Sequence, residues 1–284
     1  MKAAVIGAGK MGGWFAKYFC KKGYDVRIFD KRPNVAYRLA KEVGTAASRS
    51  LEDAVRDADV TLVAVPPGST ASVVVEASRY AKHGSVVVEV SSIKAHVIAS
   101  LKRLRHTHAR LLSVHPLFGP GASSMRGKVV ALVPIKSKNS EMRIAKSLFD
   151  DAKVVAVDWR THDRAMAYVL SLSHALAVSL VFAMDNRTFR KAMGLSGTTF
   201  KLQILSAATS LSESPELMIS AFKLNPYALR ALSSYRRKLG ELSEVLSRGD
   251  LPRLRKIFRA CTAKTGPRLY EEAYGLLEGY SRLV

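Results

Sequence analysis

Gly7, Gly9 and Gly12 stand at the G-x-G-x-x-G spacing in GAGKMG, directly after the apolar run AAVI and ahead of a helical pattern from Met11 to Lys22. In a strand, turn and helix context each glycine has a task. Gly7 permits the tight turn, Gly9 lets the backbone approach a pyrophosphate, and Gly12 lets the helix pack closely on the strand. The loop Gly7, Ala8, Gly9, Lys10, Met11 and Gly12 then offers the positive end of a helix to negative charge. The next apolar run, DVRIF, ends at Asp30, about 20 residues on, where an acidic residue takes the ribose hydroxyls of a dinucleotide. Asp30 favours NAD. Lys31 and Arg32 follow it and leave NADP open, since an Arg here accommodates a 2′-phosphate. A second candidate lies in SVHPLFGPG, where His115 follows the apolar run RLLSV and Pro116 is expected to stop that strand. Imidazole titrates near neutral pH and suits proton transfer, although a strand-end histidine can also simply bond backbone.

The elements that hold these residues follow from the apolar periodicity. Runs at 60–65 (VTLVAV), 85–91 (SVVVEVS), 110–114 (RLLSV) and 129–133 (VVALV) alternate with stretches of helical spacing. That alternation predicts an α/β fold, a Rossmann-type doubly wound parallel sheet. Ligands of such sheets bind beyond the carboxyl ends of the strands. Val65, Pro66, Pro67, Ser91, Ser92 and His115 occupy those places. Ser92 also suits the N-cap of a helix over 93–104, with Lys94 a surface residue of its first turn. From about Asp158 onward strands vanish, and helices are expected at 161–187, 197–211, 215–223 and 226–248, with two more to the end. The domains are therefore 1–158, dinucleotide-binding, and 159–284, all-helical.

Composition fits this plan. A chain of 284 residues, 48% hydrophobic and 24% charged, suits two globular domains. The net charge of +22 arises from Lys and Arg scattered without an aromatic platform or a nucleic-acid motif, so no nucleic acid is expected and the field favours a small anionic substrate and an anionic cofactor. Cys20 and Cys261 lie far apart inside helical patterns and read as apolar packing residues, not a disulfide or a metal pair, and no metal site is expected. No leader precedes MKAAVIG, so a cytoplasmic enzyme is expected. Residues 167–184 lack Asp, Glu, Lys and Arg, but Ser171, Ser173, His174 and Ser179 interrupt them, which suits a helix buried within a helical domain or dimer and no membrane span.

At HPLFG the chain resembles the prephenate and arogenate dehydrogenase family. VPPGST (65–70), SSIK (91–94) and LSLSHAL (170–176) resemble further segments of that family in the same order. The resemblance implies oxidative decarboxylation of prephenate to 4-hydroxyphenylpyruvate in tyrosine biosynthesis, hydride passing from the ring carbinol carbon to the nicotinamide while the ring carboxylate leaves as carbon dioxide. It implies that His115 takes the hydroxyl proton, that Ser92 donates to the same hydroxyl or to the nicotinamide carboxamide, and that His174 faces the substrate. A buried core histidine is the plainer reading of His174. It also implies a C-terminal helical dimerisation domain and a homodimer. One position departs: where the family carries an Arg for a substrate carboxylate, this chain has Ile219. Lys201, Arg230 and Arg236 are the candidates to replace it. Arogenate as substrate, a 3-hydroxyacid dehydrogenase or imine reductase of similar plan, and a dinucleotide-sensing protein are the competing readings.

Overall fold

The computed structural model describes residues 1–104 and 107–281. Contacts divide the chain into two compact units: Met1–Met166 with Ser220–Pro226, and Ala167–Ile219 with the residues from Tyr227 onward.

The first unit runs β1 (Lys2–Ile6), α1 (Lys10–Lys21), β2 (Asp25–Phe29), α2 (Pro33–Val43), β3 (Ala46–Ala47), α3 (Leu51–Val55), β4 (Val60–Val63), α4 (Pro67–Tyr80), β5 (Val86–Glu89), α5 (Ala95–Arg103), β6 (Arg110–Pro116), β7 (Val129–Leu132), α6 (Lys138–Leu148), β8 (Lys153–Ala156) and α7 (Trp159–Met166). Its strands form one sheet in the order β3-β2-β1-β4-β5-β6-β7-β8. All pairs are parallel except β6 with β7. The expected doubly wound sheet is present, with one antiparallel step. Sequence periodicity missed two strands: β3 has two residues, and β8 shows the half-buried alternation of a sheet edge.

Alternate strand residues feed two core layers, because successive side chains point to opposite faces. Ala3 and Val5 of β1, with Val86 and Val88 of β5, pack on one face together with Phe15 and Phe19 of α1. Ala4, Ile6 and Val87 pack on the other with Val97, Ile98 and Leu101 of α5. Fully burying a side chain such as Phe15 contributes about 1.5–3 kcal/mol.

The second unit contains a π-helical segment (Ala167–Leu172), α8 (Ser173–Phe182), α9 (Asn186–Leu195), α10 (Thr198–Leu211), the first half of α11 (Pro215–Leu224), α12 (Ala228–Ser247) and α13 (Leu251–Ser281), which breaks at Gly266 and Pro267. The helix expected at 161–187 is thus three helical segments and a break. Asp185 starts a new helix by accepting the Thr188 N–H at 2.6 Å. The run Trp159–Phe182 is long and apolar enough to cross a membrane by length and composition, with mean hydropathy 1.8 in a window that is 28% buried. Tyr168, Val169, Phe182 and Leu195 leave apolar surface exposed in this unit. Cys261 is exposed, so it is no packing residue here, whereas half-buried Cys20 does pack against the core.

Candidate active site

The glycine loop sits where the strand order reverses, between β1 and β4, which is the binding crevice of doubly wound sheets. Gly7 has φ +101, and a Cβ there would strike the Ala64 carbonyl at the end of β4. A Cβ on Gly12 would run into the Gly7 carbonyl, while Gly9, the residue before α1, has open space around it. The loop is therefore closed against the sheet at both ends and open in the middle, the shape a pyrophosphate needs. Val65 lies against Gly7, Pro66 is exposed, and Pro67 starts α4. Lys10 and Lys31 are exposed, and Met11 packs against the core.

Asp30 is brought onto this loop. Its Oδ2 accepts the Ala8 N–H at 2.9 Å, and its Oδ1 accepts the Arg32 N–H at 2.9 Å and Arg32 Nε at 3.2 Å. Burial works to raise its carboxyl, but the hydrogen bonds from Ala8 and Arg32 outweigh this and hold it below the usual carboxylate range. Asp30 is charged at neutral pH and fixes the loop beside it.

His115 lies inside β6, paired with Ala131 of β7, and not beyond the strand end. The antiparallel partner β7 carries the strand two residues past the expected stop, and Pro116, which has no N–H to donate, is its last residue. Alternation along β6 turns Leu112 and Val114 toward the α1 layer and Leu111, Ser113 and His115 toward the other face. The loop after β6 returns to the glycine-loop helix: Phe118 packs on Trp14 at 4.9 Å, and Trp14 Nε1 donates to the Ala122 carbonyl at 2.6 Å.

On the His115 face lies a buried polar network that spacing alone did not reveal. Glu89, paired in register with Ser113, accepts from Lys94 Nζ at 2.6 Å, from the Ser91 N–H and hydroxyl at 2.8 and 2.6 Å, and from the Ser113 hydroxyl. Lys94 is wholly buried, which corrects its placement as a surface residue of the helical first turn; it lies one residue ahead of α5 and spends its ammonium on Glu89 and on the Val114 carbonyl at 2.7 Å. Burial pulls that ammonium below the ordinary lysine value, against the opposing pull of Glu89 and Asp163. Ser92 is half-buried and does not cap α5. The cap is remote: Asp163 of α7 accepts the Lys94 N–H at 3.0 Å and the Ala95 N–H at 2.8 Å. Asp163 also lies 2.7 Å from His162 Nδ1, and His162 Nε2 lies 3.0 Å from His115 Nδ1. Burial, His162 and Lys94 together push the His115 imidazole well below its usual value, so it is neutral at neutral pH. The available signal for His162 and Asp163 was their position on the buried face of α7, one turn before Met166.

In the second unit His174 is buried with its Nδ1 unpartnered among the described residues. Burial lowers its imidazole, and Glu213 pulls the other way. It follows the π-helical segment, a local widening that often marks functional positions. Lys201 is half-buried on α10, Arg230 and Arg236 are exposed on α12, and Ile219 is exposed. In the first unit a separate depression at the amino ends of the strands is lined by Lys2, Asp25, Asp57, Asp59 and Lys82, with Lys2 paired to Asp57 and Lys82 to Asp59.

Residues 15–158 match the nucleotide-binding domain of prephenate dehydrogenase, and residues 158–260 match its dimerization domain. The chain belongs to the prephenate dehydrogenase family. A probable arogenate/prephenate dehydrogenase of Methanocaldococcus jannaschii is 25% identical over 95% of this chain and 62% of its own length. A T-protein of Haemophilus influenzae is 24% identical over 76% of this chain, which spans 54% of that protein. The solved prephenate dehydrogenase from A. aeolicus in complex with hydroxyphenyl propionate and NAD+ superposes with a TM-score of 0.75 at 19% identity, over 93% of this chain and 97% of that one. The chain spans less than two thirds of the length of these curated relatives. The match begins after the glycine loop, so the assignment of the loop rests on its own geometry.

Proposed function

We propose that this chain is a cytoplasmic, homodimeric enzyme that oxidises and decarboxylates prephenate to 4-hydroxyphenylpyruvate with NAD. One observation carries the reading: a neutral imidazole, His115, at the carboxyl end of a strand whose following loop packs on the glycine-loop helix. The glycine loop and Asp30 hold the dinucleotide, whose nicotinamide accepts the hydride when bound. His115 accepts the hydroxyl proton as the carbinol carbon becomes a carbonyl, and Ser92 donates a hydrogen bond to the same oxygen. The ring carboxylate leaves as carbon dioxide, its bonding pair completes the aromatic ring and returns electrons to the oxygen, and that phenolate regains a proton to give the phenol of 4-hydroxyphenylpyruvate. His174 donates to the substrate, and Lys201, Arg230 or Arg236 holds a carboxylate in place of the Arg absent at Ile219. A partner copy covers the exposed apolar residues Tyr168, Val169 and Phe182, in keeping with the dimerization-domain match. The domain boundary is read at 158/159, where the two family matches meet.

Purified protein with NAD is tested against prephenate and arogenate, following reduced cofactor and carbon dioxide. A higher kcat/KM for prephenate supports the reading. Preference for arogenate moves the assignment to that substrate, and binding of NAD without turnover of either overturns it.

A further inference from the structure

The hydrogen bonds around Asp163 fix the proton positions on both histidines. Asp163 Oδ2 accepts the Ala95 N–H at 2.8 Å and the Lys94 N–H at 3.2 Å, and Oδ1 takes the Lys94 N–H at 3.0 Å, so the carboxylate acts only as an acceptor. His162 Nδ1, 2.7 Å from Oδ1, must therefore carry its hydrogen. A His162 ring carrying this one hydrogen presents a bare lone pair at Nε2. His115 Nδ1, 3.0 Å away, must donate to it. With its hydrogen committed at Nδ1, neutral His115 keeps a bare Nε2, the one ring atom able to accept a proton. The turn that holds this pair is pinned by Asn225, whose amide donates to the Asp163 carbonyl at 2.8 Å.

We propose that His162 and Asp163 are positioning residues that set the tautomer of His115 and take up the charge it acquires. This rests on the reading of His115 as the base. The substrate hydroxyl proton arrives at His115 Nε2, the His115 Nδ1 proton passes to His162 Nε2, and His162 is left as an imidazolium with its Nδ1–H on Asp163. One proton enters and one moves, and the positive charge comes to rest beside a carboxylate. The arrangement answers an electrostatic difficulty, because the charged and titratable groups facing His115 are His162 on α7 and the Lys94 ammonium ahead of α5, and Lys94 is already compensated by Glu89 on β5. Among the described residues a lone imidazolium at His115 would have no counterion, whereas one at His162 has Asp163. The serine hydrolases use the same logic, a buried carboxylate holding one imidazole in the correct tautomer.

The full chain labelled with 15N-histidine is examined at neutral pH, where ring nitrogen shifts report each tautomer without any turnover. Hydrogen on Nδ1 and a bare Nε2 are expected for both His115 and His162, and hydrogen on Nε2 of either ring overturns the proposal. In kinetics, His162→Phe removes both the acceptor and the charge site. His162→Gln keeps an acceptor for His115 and a donor for Asp163 but cannot take a proton. The expected order of kcat is wild type, then His162→Gln, then His162→Phe, the last lower by about ten- to a hundred-fold as for other supporting residues, with KM for NAD unchanged. If both variants keep wild-type kcat and pH profile while His115→Asn is impaired, the relay is overturned and the base assignment stands. If His115→Asn is also unimpaired, both fall.

Discussion

The Lys94 ammonium lies 2.6 Å from Glu89 Oε1, and neither side chain has any solvent-accessible surface. Two opposite charges taken out of water hold their place only while both are present and their remaining hydrogen-bonding capacity is filled, here by Ser91, Ser113 and the Val114 carbonyl. Because Val114 precedes His115 in β6, the pair also fixes the backbone beneath His115.

Removing one partner should therefore be costly. Lys94→Met is expected to lower unfolding free energy by about 3–5 kcal/mol, since it strands a buried carboxylate. The double variant Lys94→Met with Glu89→Gln should recover part of that loss, because no uncompensated charge remains. Urea denaturation of the single and double variants checks this. A Lys94→Met protein as stable as wild type contradicts the burial and pairing described.

Asp30 is hydrogen-bonded to the glycine loop and to Arg32. Wild-type enzyme is expected to give a higher kcat/KM with NAD than with NADP, because Asp30 is held charged and would meet a 2′-phosphate. Asp30→Ala should lower kcat/KM for NAD and narrow the preference, since it frees Arg32 from its 3.2 Å contact with the carboxylate. Adding Arg32→Ala should then depress use of NADP. A wild-type preference for NADP would show that Lys31 and Arg32 dominate.

In the proposed reading, Ile219 at the family's Arg position leaves a substrate carboxylate to another cation. Replacing the responsible residue among Lys201, Arg230 and Arg236 by Ala should raise KM for substrate far more than for NAD, by the equivalent of about 1.5–3 kcal/mol, the worth of a hydrogen bond to a charged group. Steady-state kinetics of the three single variants decides. Wild-type KM in all three excludes them.

Much of the first unit is legible in the residues because local rules act there without help from distant chain. The glycine spacing, the apolar runs of β1, β2, β4, β5 and β7, and their alternation with helices all follow from short-range pattern. What escapes is set by tertiary partners. The extension of β6 through His115 depends on β7, sixteen or so residues away by the usual logic of non-local pairing. The burial of Lys94 depends on Glu89 meeting it across a turn, since an isolated lysine at a helix start reads as solvated. The helix cap at α5 comes from Asp163, far along the chain, and no local capping signal announces it. His162 was hidden for the same reason: its importance lies in touching His115.

His115 is the proposed base, and kcat as a function of pH for wild type and His115→Asn tests that assignment most directly. Burial, His162 and Lys94 push this imidazole down, so wild-type kcat should rise with pH and level off by neutral pH, the neutral form being the active one. His115→Asn keeps a polar side chain without a titrating base. It should bind NAD as wild type does, lose that pH-dependent limb, and show kcat lower by about 10²–10⁴. Near-wild-type kcat with the limb intact in His115→Asn would contradict the assignment of the base.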